Sequence, residues 1–174
     1  SGMWNIANEV GDAKIKDPYT KYTSGDKEGG LYAVESWYSW HSRDDYTNNI
    51  FSIRNTYYGR IDDNDVSKVD GNLSAFNSYK DFDDEGDIAE HSLSKLIAST
   101  NPDLDEEIKT LIFASAKAIQ AIPQPFRNNI DSEESVAAMN TCMELANLLL
   151  NEAKPYVNQT FGDPEYDDDL DAIA

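Results

Sequence analysis

The sequence predicts an all-α protein, an up-and-down four-helix bundle with an additional N-terminal helix and a long acidic insertion between helices. Three observations predict it. Apolar residues return at spacings of three and four along five segments, the period of a helix with one buried face. No segment alternates apolar and polar residues clearly enough for a strand. The last three helical segments are joined by short connections, which makes them antiparallel neighbours. With 174 residues and 40% hydrophobic content, the chain reads as one domain over residues 1–174.

The first helix is expected from Met3 to Ile15, with Met3, Ile6 and Val10 on its inner face. Gly11 either weakens it or lets another backbone come close. Asp17-Pro18 should end it, because the residue before proline avoids the α region. Tyr19 to Gly30 then reads as a surface loop. The second helix is expected from Ser42 to Gly59, with Tyr46, Ile50, Ile53 and Tyr57 forming its apolar stripe. Ser42-Arg43-Asp44-Asp45 resembles a capping box, with acids at the positive end of the helix dipole. Arg60 to Asp87 carries nine acids against two lysines and one arginine. It reads as an insertion with a helical turn near Leu73 to Tyr79, either functional or a decoration. Further helices are expected from Asp87 to Ser99, from Asp103 to Ile122, and from Asp131 or Ser132 onward. Val136, Met139, Met143, Ala146 and Leu150 should be the inner stripe of the last, with a kink at Pro155. Gly162 to Asp171, with six acids and no base, should be frayed or loosely docked.

The formal charge of -19 repels phosphate backbones and anionic lipid heads, so nucleic acid is not expected as a partner. It suits solubility, cations or basic partners. No apolar run is long enough to span a bilayer. A single cysteine, Cys142, rules out a disulfide within the chain and reads as a small buried hydrophobe.

The stretch Val34 to Ser42, VESWYSWHS, is the densest meeting of polar groups and aromatic rings. Glu35, Ser36, Ser39, His41, Ser42 and Asp45 stand beside Trp37, Tyr38 and Trp40. Carboxylate, imidazole and hydroxyls can position a ligand or a metal such as iron, zinc or calcium. The same serines can equally cap a helix and bond to backbone. A serine nucleophile with His41 and Asp45 has the right residue types, but sequence neighbours rarely have the right geometry. Asp81 to Asp87 resembles the front of a calcium loop, but Ser92 falls where a bidentate glutamate belongs.

The string VESWYSWHSRDDYTNNIFSIRNTYYG resembles the signature of the imelysin family. So do Gly2 to Ile15, Asn101 to Asp105 and Ala121 to Phe126. The resemblance is to the Bacteroidetes-type lipoprotein members, and to the second of two related helical bundles. It implies a bacterial cell-envelope protein, periplasmic or an outer-membrane lipoprotein, associated with iron uptake. Its ligand-binding residues would be Glu35, Ser36, Ser39, His41, Ser42 and Asn49, with Glu35 and His41 as metal ligands. The cofactor would be iron or another divalent cation, with a metal ion or haem as ligand. The partner would be an N-terminal half of the same protein, or another chain, completing the site. The alternatives are an imelysin-type metallopeptidase and a non-catalytic helical module that binds a partner. The family's GxHxxE motif is absent here, since neither His41 nor His91 has glycine two residues before it and glutamate three after.

Overall fold

A computed structural model describes residues 2–35, 38, 40–61 and 73–162. Among these residues every regular element is helical. The chain begins with α1 (Gly2–Asn8), a π-helical stretch (Glu9–Lys16), α2 (Asp17–Thr23) and α3 (Lys27–Ala33). The long α4 spans Ser42–Tyr58. A 3-10 turn (Leu73–Ala75), the short α5 (Tyr79–Phe82) and a second 3-10 turn (Glu85–Asp87) lead to α6 (Leu93–Ala98). Then come α7 (Pro102–Ala121), a 3-10 turn (Phe126–Asn128), α8 (Glu133–Leu148), a second π stretch (Leu149–Ala153) and α9 (Lys154–Phe161).

α1 and the π stretch pack on α8 and also touch α4. α4 packs on α7, and α7 on α8, so four long elements enclose the core. α6 rests against α4 and α7. The stripe read on α4 is the buried one: Tyr46, Ile50, Ile53 and Tyr57 are all fully buried. Gly59 closes that helix at φ 66°, the left-handed region that glycine enters without steric cost.

Several boundaries differ from expectation, each for a physical reason. The N-terminal helix does not stop at Asp17-Pro18. It widens to π geometry, where Asp17 N–H reaches back to Asp12 O, five residues before. Pro18 follows at the start of α2, where the ladder has already shifted and its missing N–H matters least. Pro155 repeats the arrangement after the second π stretch, in which Lys154 N–H bonds Leu149 O. Tyr19 to Gly30 is mostly helix. Its turn is capped by Asp26, which accepts from Gly29 N–H at 2.9 Å. Asn101, one turn ahead of Leu104, caps α7 in place of Asp103. Ser132 caps α8 through Ser135 N–H at 3.1 Å.

The inner face of α8 is rotated from the expected stripe. Ser135, Ala138, Cys142, Leu145 and Leu149 are buried, and so is Ala146 as expected, whereas Val136, Met139, Met143 and Leu150 flank them. Close approach explains this. A Cβ on Gly11 would lie 3.1 Å from Cys142 Cβ and 3.0 Å from Met143 Cγ, so the centre of the contact needs small residues. Cys142 is the buried small residue expected, and burial pushes its thiol up to about 12. The expected helix from Asp87 begins only at Leu93, with Ser92 as its cap, and Leu96 faces outward. Most of the acidic insertion before Leu73, and the segment from Asp163 onward, lie outside the described residues.

Candidate functional site

The strip between α3 and α4 runs from Val34 to His41. Ser36, Trp37 and Ser39 lie outside the described residues. Val34 is buried and anchors the strip's start. At its end Ser42 is also buried, but it does not cap α4 as expected. His41 holds the cap position without a side-chain bond, and Ser42 Oγ donates to the backbone carbonyl of Glu35 at 2.5 Å. That bond ties the two ends of the strip together across seven residues.

The Glu35 carboxylate points the other way. It pairs with Lys14 Nζ at 2.9 Å, and the same ammonium lies 3.3 Å from Glu9. Burial pulls the Lys14 pKa down, but Glu35 and Glu9 raise it by more, so the net shift is upward. The Tyr46 ring lies 5.8 Å from the same ammonium. The Tyr46 hydroxyl is buried and makes no hydrogen bond of good geometry. Burial, then the nearby Glu35 charge, raises its pKa well above the ordinary value. His41 faces outward, its Nδ1 3.4 Å from an Asp44 oxygen. Asn49 is half-buried two turns along α4 from Ser42, about 10 Å away along the axis. The Ser42 hydroxyl therefore meets Glu35 at its backbone carbonyl, while the Glu35 carboxylate faces Lys14 and the His41 ring faces Asp44.

The two described aromatic residues of the strip are exposed: Tyr38 is 83% and Trp40 55% accessible, whereas most other large rings among the described residues pack against the core. Trp40 adopts φ 62°, a left-handed conformation that is costly for a bulky residue. The Arg127 guanidinium stacks 5.0 Å from its ring. Arg43, just inside α4, donates to the carbonyls of Gln120 and Ile122 at the end of α7. With its amide oxygen turned toward that guanidinium, Gln124 accepts at 2.9 and 3.1 Å. The turn after α7 and the start of α4 are thus locked together beside the strip.

These segments match a known family. A family model described as imelysin, peptidase M75, matches residues 1–151. The chain belongs to the imelysin family. Among solved structures, an imelysin peptidase from Bacteroides ovatus superposes with TM-score 0.74 at 51% identity. That match covers 92% of this chain and 39% of the other. A protein from Parabacteroides distasonis, described as an iron-regulated protein A precursor, superposes with TM-score 0.68 at 38% identity. It is covered over 36% of its length, against 84% of this chain. The chain thus spans less than two-fifths of the length of each of these two relatives. No curated protein matches it.

A metal centre is not assembled by the described residues of this imelysin chain. No three of their His, Cys, Asp and Glu side chains gather at one point. The Asp81–Asp87 run is not arranged as a calcium loop either, since Asp83 and Asp87 both turn inward onto Arg54 Nη2 at 2.8 Å. Tyr58 OH donates to Asp83, and the Arg54 guanidinium stacks 4.8 Å from the Tyr58 ring. Next to this clamp, Asp105 accepts from Tyr57 OH at 2.9 Å, Ser94 Oγ at 2.7 Å and Lys109 Nζ at 2.6 Å. Neither cluster was foreseen from the sequence. Arg54 interrupting an apolar stripe, one turn before Tyr58, was the available signal. Lys14 and Arg127 were missed as well, because single basic residues far away in sequence carry no local pattern.

Proposed function

We propose that this chain belongs to an imelysin-like protein of the bacterial cell envelope, implicated in the uptake of iron or an iron carrier. The polar site would be the Val34–Ser42 strip, shared with further chain of the kind its longer relatives possess. The observation that carries this reading is the exposure of Tyr38 and Trp40 beside Glu35. Large rings held at a surface, one of them in a strained conformation, suit a face that a ligand or another bundle covers. The relative described as an iron-regulated protein A precursor supports the link to iron. In this reading Glu35 is an acceptor at the edge of the site, Ser36 and Ser39 would supply hydroxyls, and the buried Ser42 fixes the strip through its bond to the Glu35 carbonyl. Cell-envelope placement, whether periplasmic or by a lipid anchor, rests on the family.

The test is isothermal titration of the full-length protein with ferric, ferrous and zinc ions, with ferric citrate and with haem. Binding of an iron species that Glu35→Ala weakens tenfold or more is expected. Absence of every binding event, or binding that the substitution leaves untouched, removes the reading. A metallopeptidase is the second reading, favoured by the relative described as an imelysin peptidase. It needs a metal-bound water, and the described residues gather no ligand set for that metal. Chelator-sensitive cleavage of a peptide by the isolated chain would reverse the ranking.

A further inference from the structure

Glu35 has the strongest chemical claim in the strip to a metal ion, and the structure already gives it a cation. Lys14 Nζ lies 2.9 Å from Glu35 Oε2 and 3.3 Å from Glu9 Oε1. The lysine side chain is 14% exposed, its two carboxylate partners 55% and 60%. The Tyr46 ring, 5.8 Å away, adds a face that favours positive charge. Two carboxylates and a ring, from the first π stretch, the strip and α4, converge on one ammonium.

A metal ion bound to Glu35 would sit within a few ångströms of that ammonium, where like charges repel strongly, or would have to drive it out. The remaining donors do not compensate. His41 is turned to Asp44, and the described residues gather no third ligand. The disagreement between a metal-ligand role for Glu35 and its surroundings is therefore specific to one residue.

We infer that Lys14 determines specificity at the strip, as a resident counter-cation that closes the Glu35–Glu9 pair to bare metal ions. The ligand taken there is then iron already held by an organic chelator, docked against the exposed rings of Tyr38 and Trp40. The ligand class rests on the iron reading above, whereas the exclusion of bare ions rests on Lys14 alone.

Terbium, a bare oxygen-seeking cation with a luminescent readout, tests the exclusion on the 174-residue chain. Four proteins are titrated: wild type, Glu35→Gln, Lys14→Met and the double variant. Glu35→Gln should leave wild-type terbium affinity unchanged. Lys14→Met should tighten binding tenfold or more, and the gain should vanish in Lys14→Met/Glu35→Gln. The inference is overturned if Glu35→Gln weakens the wild-type chain tenfold, if Lys14→Met binds no better than wild type, or if its gain survives in the double variant. Should circular dichroism show Lys14→Met unfolded, the wild-type and Glu35→Gln pair decides alone. Parallel titration of the wild-type chain with haem and ferric citrate reads the iron assignment separately. No binding there, with the terbium pattern as expected, removes the chelate and leaves Lys14 as the group that shuts out bare ions.

Discussion

Arg54 and Lys14 each sit between two carboxylates, one deep in the bundle and the other at its edge. The Arg54 side chain is 3% exposed and its partners Asp83 and Asp87 are 9% and 10% exposed. Lys14 has partners that are more than half exposed, Glu9 and Glu35. The charge pattern is the same and the surroundings are opposite. In the interior a charge must be paired at every turn, because an orphaned ion there costs several kcal/mol. At the edge water reaches both carboxylates, so losing either one costs less than losing a buried partner. Two carboxylate pairs thus meet different surroundings: one fastens Asp83 and Asp87 to α4, and the other holds Lys14 at the edge of the bundle.

The largest effect that tests this contrast is Arg54→Ala. It removes the buried guanidinium that pairs with both Asp83 and Asp87 and should cost about 3–5 kcal/mol. For a chain of this size that is roughly 6–20 °C in Tm, read by calorimetry. Lys14→Ala should cost far less. Equal losses at the two positions would end the distinction drawn between them.

Alkaline titration sharpens the contrast from the interior side. Burial first, then the carboxylates of Asp105 and Asp83, raises the pKa of Tyr57 and Tyr58 well above the ordinary value. Tyr46 is raised chiefly by burial, and Lys14 shifts upward too. A group whose folded pKa is raised stabilises the fold below its unfolded pKa, about 10 for tyrosine, and loses that contribution as pH climbs. The unfolded chain releases those protons first, so stability should fall above about pH 10. The slope is about 1.4 kcal/mol per pH unit for each such tyrosine. Denaturant melts between pH 9 and 11 would measure it, with Tyr57→Phe reducing the slope by one proton. Tyrosinate absorbance should rise for these rings only together with loss of ellipticity.

Much of the frame was legible because it is local and periodic. The four apolar positions of α4 and its end at Gly59 follow from spacing and residue type within one or two turns, and the structure chooses Ser132 over Asp131 as cap and close approach over weakening at Gly11. The π stretches were not legible, because a proline reads as a break unless the ladder ahead of it has already shifted. The α8 face lies one position from the apolar stripe over its first half, because the contact at Gly11 admits Ala138 and Cys142 rather than Met139 and Met143, while Ala146 is buried in both readings. In the strip, Glu35 and Ser42 were found by composition, yet their bond runs through backbone. Lys14 lies 21 residues before Glu35 and Arg127 lies 87 after Trp40, so nothing in the spacing joins them.

Glu35→Gln should give the smallest change in stability, and its smallness is informative. The substitution keeps the size and the acceptor oxygen but removes the charge that faces Lys14. Because the carboxylate is more than half exposed, the pair is worth about 0–1 kcal/mol, and less in 1 M salt, where the screening length is near 3 Å. Melts at 0.02 M and 1 M salt should therefore bring wild type and Glu35→Gln together as salt rises, whereas Arg54→Ala stays apart from wild type at both. If Glu35→Gln instead costs 2 kcal/mol or more and salt leaves that cost intact, then Glu35 is part of the scaffold. Its exposed carboxylate would then be a by-product of holding Lys14, and the strip would lose its best acceptor for a ligand.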